Sequence, residues 1–194
     1  HRDVASNNDP NSARLGESYY RFLLRAWVGS FRAGLREERV RFAGRRSLAN
    51  PYVVYVLGAL IFIAIAYWLG GVIGCLIYIG LAFYAQSQLL ISDYVQHYGL
   101  RRRKQTSGKL EPVSVQHSWN APHVFSSHLM LNAPRHSDHH AHPARGFAAL
   151  TIPRDAPTLP YSLPAMSVLA LFPPLWRRIM DPRVAEWQTR DGAS

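Results

Sequence analysis

Charge is missing from the middle of this chain. From Ser47 to Ser92 there is no Lys, Arg, Asp or Glu, although the 194 residues carry 22 basic and 12 acidic side chains. A helix of that length with no charge has no wet face, which excludes one long soluble helix. Cysteine is nearly absent too: Cys75 stands alone, inside the apolar block. One thiol excludes disulfides and cysteine-ligated metal sites within the chain. Recognised nucleic-acid motifs are also lacking. The basic residues flank the apolar block rather than an aromatic platform, so a net charge of +10 does not read as nucleic-acid affinity. Nor is there a signal-peptide pattern, because the apolar runs are internal and lack a cleavage site.

The residues that are present include two apolar runs. Tyr52 to Leu69 is 18 residues long, and Val72 to Ile91 is interrupted only by Gln86, Ser87 and Gln88. Each is close to the roughly 20 residues that cross about 30 Å of hydrocarbon. The Gly70-Gly71 link predicts a tight transmembrane hairpin. Pro51 suits a first helical turn, and Tyr67 and Trp68 suit the far interface. Arg36, Arg39, Arg41, Arg45 and Arg46 precede the hairpin, and Arg101, Arg102, Arg103 and Lys104 come after it. Positive residues at both ends place that side in the cytoplasm.

The chain divides into four regions. Residues 1–50 read as a cytoplasmic or interfacial amphipathic helical segment. Tyr20, Leu23, Leu24, Trp27, Phe31 and Leu35 recur at helical spacing between Glu17 and Arg46. That face suits an anionic membrane surface or packing on the rest of the protein. Residues 51–92 hold the two spans, residues 93–160 a histidine-rich cytoplasmic region, and residues 161–194 an interfacial helix and tail. In the last region Pro173-Pro174 is expected to break the apolar run, and the final dozen residues to fray. The fold class is an all-α membrane protein with a histidine-rich helical cap.

The chemistry lies in the histidines. Arg135 to His142 packs four of the nine into seven residues. On a helix His136, His139 and His140 occupy one arc of about 100°. Three neutral imidazoles on one face are ready metal ligands. Asp138 and His142 fall on the opposite side, suited to supporting the ligands. His97, at the end of the second span, joins the ligand candidates because both clusters face the same membrane side. Asp93, one turn earlier, is placed to orient His97. His117 and His123 are weaker candidates to hydrogen-bond the ligands. Imidazoles without cysteine admit zinc, iron or copper, and their surplus argues for more than one metal or open coordination positions.

These residues resemble the bacterial membrane alkane hydroxylases, integral-membrane non-haem di-iron monooxygenases related to xylene monooxygenase and, more distantly, to membrane desaturases. RHSDHHAHP (Arg135 to Pro143) resembles the family's last histidine box, and DYVQHYGL (Asp93 to Leu100) its NYxEHYG motif. HSWN (His117 to Asn120) and LALFPPLWRRIMD (Leu169 to Asp181) fit as well. His1 to Ala5 resembles the end of the family's EHxxGHH box and the residues just after it, with His1 as the final histidine of the box. This chain is therefore expected to be the C-terminal part of a larger enzyme and inactive alone. The resemblance implies six transmembrane helices, of which this chain holds two. It also implies two iron ions ligated by His97, His136, His139, His140 and His1, with O2 as co-substrate. The implied setting is the bacterial inner membrane, with the metal on the cytoplasmic side. Departures are Asp93 for Asn, Gln96 for Glu, and Ala133-Pro134 for Leu-Gln.

The implied reaction is terminal hydroxylation of n-alkanes or similar hydrocarbons taken from membrane lipid, with electrons from rubredoxin and its reductase. The run Arg101, Arg102, Arg103, Lys104 is a candidate docking patch. It can equally fix topology and contact anionic lipid. The alternatives are a related di-iron enzyme, such as a desaturase or a xylene- or terpene-type hydroxylase, or a non-catalytic membrane metal-binding protein. A transporter would place polar ligands near mid-span, where this chain has only Gln86, Ser87 and Gln88.

Overall fold

A computed structural model describes residues 3–42 and 50–192. They are helical, with only two isolated bridges, Lys104 to Leu110 and Asn120 to Thr158, and no strand among them. The helices are α1 (Tyr19–Arg41), α2 (Pro51–His97), α3 (Val124–Leu129), α4 (His136–Ala141), α5 (Leu163–Ala170) and α6 (Pro173–Gly192). The chain divides into two compact units. One comprises Trp27–Leu89, and the other the chain up to Ala26 together with Leu90 onward.

In the unit Trp27–Leu89, α2 is long and apolar enough to cross a membrane. Its helical backbone breaks where the Gly-Gly pair predicts a turn. Gly71 has φ 58° and ψ −147°, a conformation open to glycine alone. The two legs fold back on each other. Phe62 stacks on Tyr78 with centroids 6.4 Å apart, Cys75 Sγ lies 3.6 Å from the Ile63 carbonyl, and Gly74 abuts the Ala66 carbonyl. A side chain at 74 would collide with that backbone, so glycine sets how closely the legs approach. Most side chains of the legs are exposed.

The other unit is built on aromatic packing. Tyr94 lies 5.7 Å from Tyr19, 5.4 Å from Phe22 and Tyr98, and 5.2 Å from Trp176, ring centre to ring centre. Leu163, Met166, Met180 and Val184 complete the core. The helix through Tyr19 buries Tyr19, Phe22, Leu23 and Ala26, whereas Tyr20, Leu24, Trp27 and Phe31 of the stripe expected from spacing are exposed. One expectation at the C-terminus holds and one does not. The helix breaks ahead of Pro173-Pro174, with α5 ending at Ala170, and the same prolines then start α6, since proline is tolerated in a first turn. The tail is helical through Gly192, because Trp176, Met180 and Val184 dock that helix into the core.

The end of α2 sets up the site. Its last turns are buried at Leu90, Ile91, Tyr94, Val95, Gln96 and His97. Gly99 then takes φ +73° as a left-handed cap, and its N–H donates to the Ala13 carbonyl at 3.1 Å. A Cβ at Gly99 would come within 2.8 Å of the Val184 methyls. The glycine of the His-Tyr-Gly motif is thus fixed by both turn and packing.

Candidate metal centre

His97 ends α2, while His136 and His140 stand one turn apart on α4. Their ring nitrogens converge: His136 Nε2 lies 3.1 Å from His97 Nε2 and 2.9 Å from His140 Nε2. One ligand atom from each of the three lies within 4.8 Å of the other two, a group able to hold a metal ion. His139 is beside this group but not in it. Its ring centre is 6.1 Å from that of His136 and 5.7 Å from that of His140. The expected helical arc therefore forms, with His136 and His140 as its converging members. His1 lies outside the described residues.

Electrostatics keep these imidazoles neutral. Burial lowers the His97 pKa to about 4 against the pull of Asp9 and the His117 carbonyl. Burial and the neighbouring His97 lower His140 to about 3. Burial, followed by His97, His140 and His139, holds His136 well below the usual range. A neutral imidazole has a lone pair to give. The donor count fits a cation. His136 Nε2 faces two other ring nitrogens, yet one nitrogen offers a single proton or a single lone pair. A cation among them would accept all three lone pairs.

The segment His117 to Asn120 clasps both halves of the site. The His117 carbonyl and Ser118 Oγ each lie 3.4 Å from His97 Nδ1. A carbonyl only accepts, so Nδ1 carries the proton and Nε2 keeps its lone pair toward the cluster. The Trp119 N–H donates to the Gln96 carbonyl at 2.8 Å, and its Nε1 to the Tyr98 carbonyl at 2.9 Å. Fully buried Asn120 accepts from the Ser137 N–H at 3.0 Å and donates to Ser137 Oγ at 2.5 Å and to the Ser118 and Pro157 carbonyls at 3.1 Å. Gln96 adds a further tie: its Nε2 donates to the Ala133 carbonyl at 3.0 Å, and its Oε1 accepts from Ser92 Oγ.

The other candidates take different places. Asp93 is held by the Asn11 amide at 3.0 Å, and the groups at His97 Nδ1 are His117 and Ser118 instead. Burial, with Asp9 nearby, raises Asp93 to about 7. His117 commits its ring to Glu111 at 2.9 Å and to the Ser114 N–H, so its carbonyl rather than its ring addresses His97. His123 is exposed at the start of α3. Asp138 is buried and accepts from Arg145, His142 Nδ1 and the Thr151 N–H, at 2.7 to 2.8 Å. Burial pushes its pKa up, but the Thr151, Arg145 and His142 bonds outweigh that and leave it at about 2. Asp138 thus ties α4 to the loop through 145–151. Arg145 and Thr151 carry no sequence signal for this role. Ser118 and Ser137 sit inside the motifs but carry no ligand chemistry of their own, so nothing in the sequence marks them.

The sequence profile of the fatty acid desaturase family matches residues 1–170. This chain belongs to that family. Among its curated relatives, alkane 1-monooxygenase 1 of Alcanivorax borkumensis is 40% identical over 98% of this chain and 48% of its own length. Alkane 1-monooxygenase 1 of Pseudomonas aeruginosa is 38% identical over 95% of this chain and 49% of its own. The xylene/toluene monooxygenase hydroxylase component XylM of Pseudomonas putida is 29% identical over 94% and 49%. This desaturase-family chain spans about half the length of the curated relatives it matches. The resemblance drawn from the histidine box, the HYG motif and HSWN is borne out.

Proposed function

We propose that this protein hydroxylates the terminal carbon of n-alkanes or similar hydrocarbons to primary alcohols. The carrying observation is the convergence of His97, His136 and His140 in a chain alike over nearly its whole length to alkane 1-monooxygenases. The metal is two non-haem iron ions, with His139 and His1 as further ligands beside the converging three. When bound, iron supplies activation of O2, one atom of which enters the substrate while the other leaves as water.

This chain's own residues supply geometry. His117 and Ser118 fix the His97 tautomer, Asn120 ties that loop to α4, and Asp138 anchors α4 from behind. Burial keeps His97, His136 and His140 unprotonated near neutral pH. The exposed apolar surface of α2 supports a setting in a bilayer, the natural solvent of an alkane. We read the protein as a multi-pass protein of the bacterial inner membrane. Its six helices include the two legs of α2, and the histidine-rich region 93–160 forms a cytoplasmic cap. Residues 1–50 and 161–194 flank the hairpin and cap at the interface. Rubredoxin and its reductase deliver the electrons.

The XylM relative favours one second reading, hydroxylation of an aryl methyl group. Product analysis under 18O2 with octane, hexadecane and p-xylene decides. A labelled primary alcohol from an alkane supports the proposal. A labelled benzylic alcohol from xylene alone moves it to the second reading, and a new double bond without labelled alcohol refutes both.

A further inference from the structure

Hydroxylation by O2 balances as R–H + O2 + 2 e− + 2 H+ → R–OH + H2O, so two electrons must come from outside. Beside Cys75, the chain has no second cysteine with which to hold a redox cluster of its own. On the hydroxylase reading, the donor that serves the site must approach a surface near His97.

The basic run after α2 is engaged in its own fold. Arg101 donates to the Ser6 carbonyl at 2.9 Å, and Arg102 to the Glu111 carbonyl at 3.1 Å. The Arg103 N–H is bound to Glu111 Oε1, and Lys104 is bridged to Leu110. A second basic surface is not visible in the sequence, because its members are 36 residues apart. A cavity of about 290 Å³ is lined by Trp119, Arg154, Arg183, Glu186, Trp187 and Arg190 among others. The three arginines are exposed; Arg183 also donates to the Ile179 carbonyl one turn earlier at 2.7 Å, and Arg190 pairs with the single acid, Glu186, at 2.6 Å, which leaves Arg154 and the outer face of Arg183 to a partner. The inner wall is what sets this cavity apart. Trp119 lines it, yet hydrogen-bonds the carbonyls of Gln96 and Tyr98, the residues on either side of His97.

We propose that this arginine-lined cavity is the docking site of an acidic one-electron carrier protein, with Trp119 between the docked partner and His97. The proposal rests on the hydroxylase reading, which supplies the need for electrons. The partner's carboxylates pair with Arg154 and Arg183, and each encounter delivers one electron, two per turnover. Guanidinium forks favour carboxylates, and complementary charge speeds the encounter.

The test uses the complete protein in lipid nanodiscs, with purified rubredoxin as the probe. Binding is titrated at several salt concentrations for wild type, for Arg154→Glu with Arg183→Glu, and for Arg103→Glu. The double variant should raise Kd roughly tenfold or more and flatten its salt dependence, while Arg103→Glu binds as wild type does. Circular dichroism melting checks that the double variant folds; if it does not, Arg154→Gln with Arg183→Gln replaces it and should still weaken binding. Wild-type Kd in a folded double variant, or equal weakening by Arg103→Glu, overturns the proposal. Alcohol production is scored separately: a wild-type protein that binds rubredoxin but forms no alcohol refutes the hydroxylase reading and leaves the docking result standing.

Discussion

Replacing Asn120 with alanine is the sharpest structural perturbation of the clasp. The Asn120 amide is fully buried, donates among Ser118, Ser137 and Pro157, and accepts from the Ser137 N–H. Alanine removes every one of these bonds and opens no path for water. Two donors and one acceptor disappear, so about three partner groups are left unsatisfied at about 1–3 kcal/mol each. Neighbours relax and share some of that cost, which gives a loss of about 3–5 kcal/mol. Melting of the purified protein should fall by roughly 10 °C. Metal loading should weaken as well, because Asn120 joins the loop bearing the His97 partners to the helix bearing His136 and His140. Asn120→Asp keeps the size but sets a buried carboxylate against the Ser118 and Pro157 carbonyls, so it should destabilise at least as much as alanine. A fall of less than about 1 kcal/mol in Asn120→Ala, with unchanged metal affinity, would refute the reasoning.

Gln96→Glu sets a carboxylate against the Ala133 carbonyl that Gln96 Nε2 now donates to, and should cost about 1–3 kcal/mol in a melting experiment. A variant as stable as wild type would mean the amide tie is unimportant. Gly99→Ala forces a Cβ onto a φ of +73° and within 2.8 Å of the Val184 methyls, and should destabilise by roughly 2–4 kcal/mol, partly relieved by Val184→Ala. Asp93 has a folded pKa of about 7 against an ordinary 3.8. Its protonated form is therefore favoured by folding. Its contribution is full below pH about 4 and is lost as pH rises through about 7. Stability of Asp93→Asn relative to wild type should accordingly rise across that window; a difference independent of pH would count against the burial of this carboxyl.

The hairpin is legible in the sequence because its signals are local. Uncharged runs, a Gly-Gly pair and a first-turn proline each act within a few residues, and Gly71 takes the conformation that only glycine accepts. The pairing of His97 with the α4 histidines is legible from residue chemistry and membrane side together. Long-range hydrogen bonds are not. Helical spacing aims Asp93 at His97, yet Asn11, 82 positions earlier, takes its carboxylate. HSWN stands out as a motif, but its grip on His97 runs through backbone carbonyls and a serine hydroxyl, which no spacing rule reports. The tail departs from expectation because its polar composition reads as frayed in sequence, while Trp176, Met180 and Val184 supply the burial that holds α6 together.

The central claim is that His97, His136 and His140 bind one metal centre. Iron-edge X-ray absorption on the complete protein tests it most directly, with wild type beside His136→Ala. The account predicts a shell of imidazole nitrogens around iron in wild type, with fewer imidazoles and lower iron content in the variant. An iron shell without imidazole, or one identical in the two proteins, would contradict it.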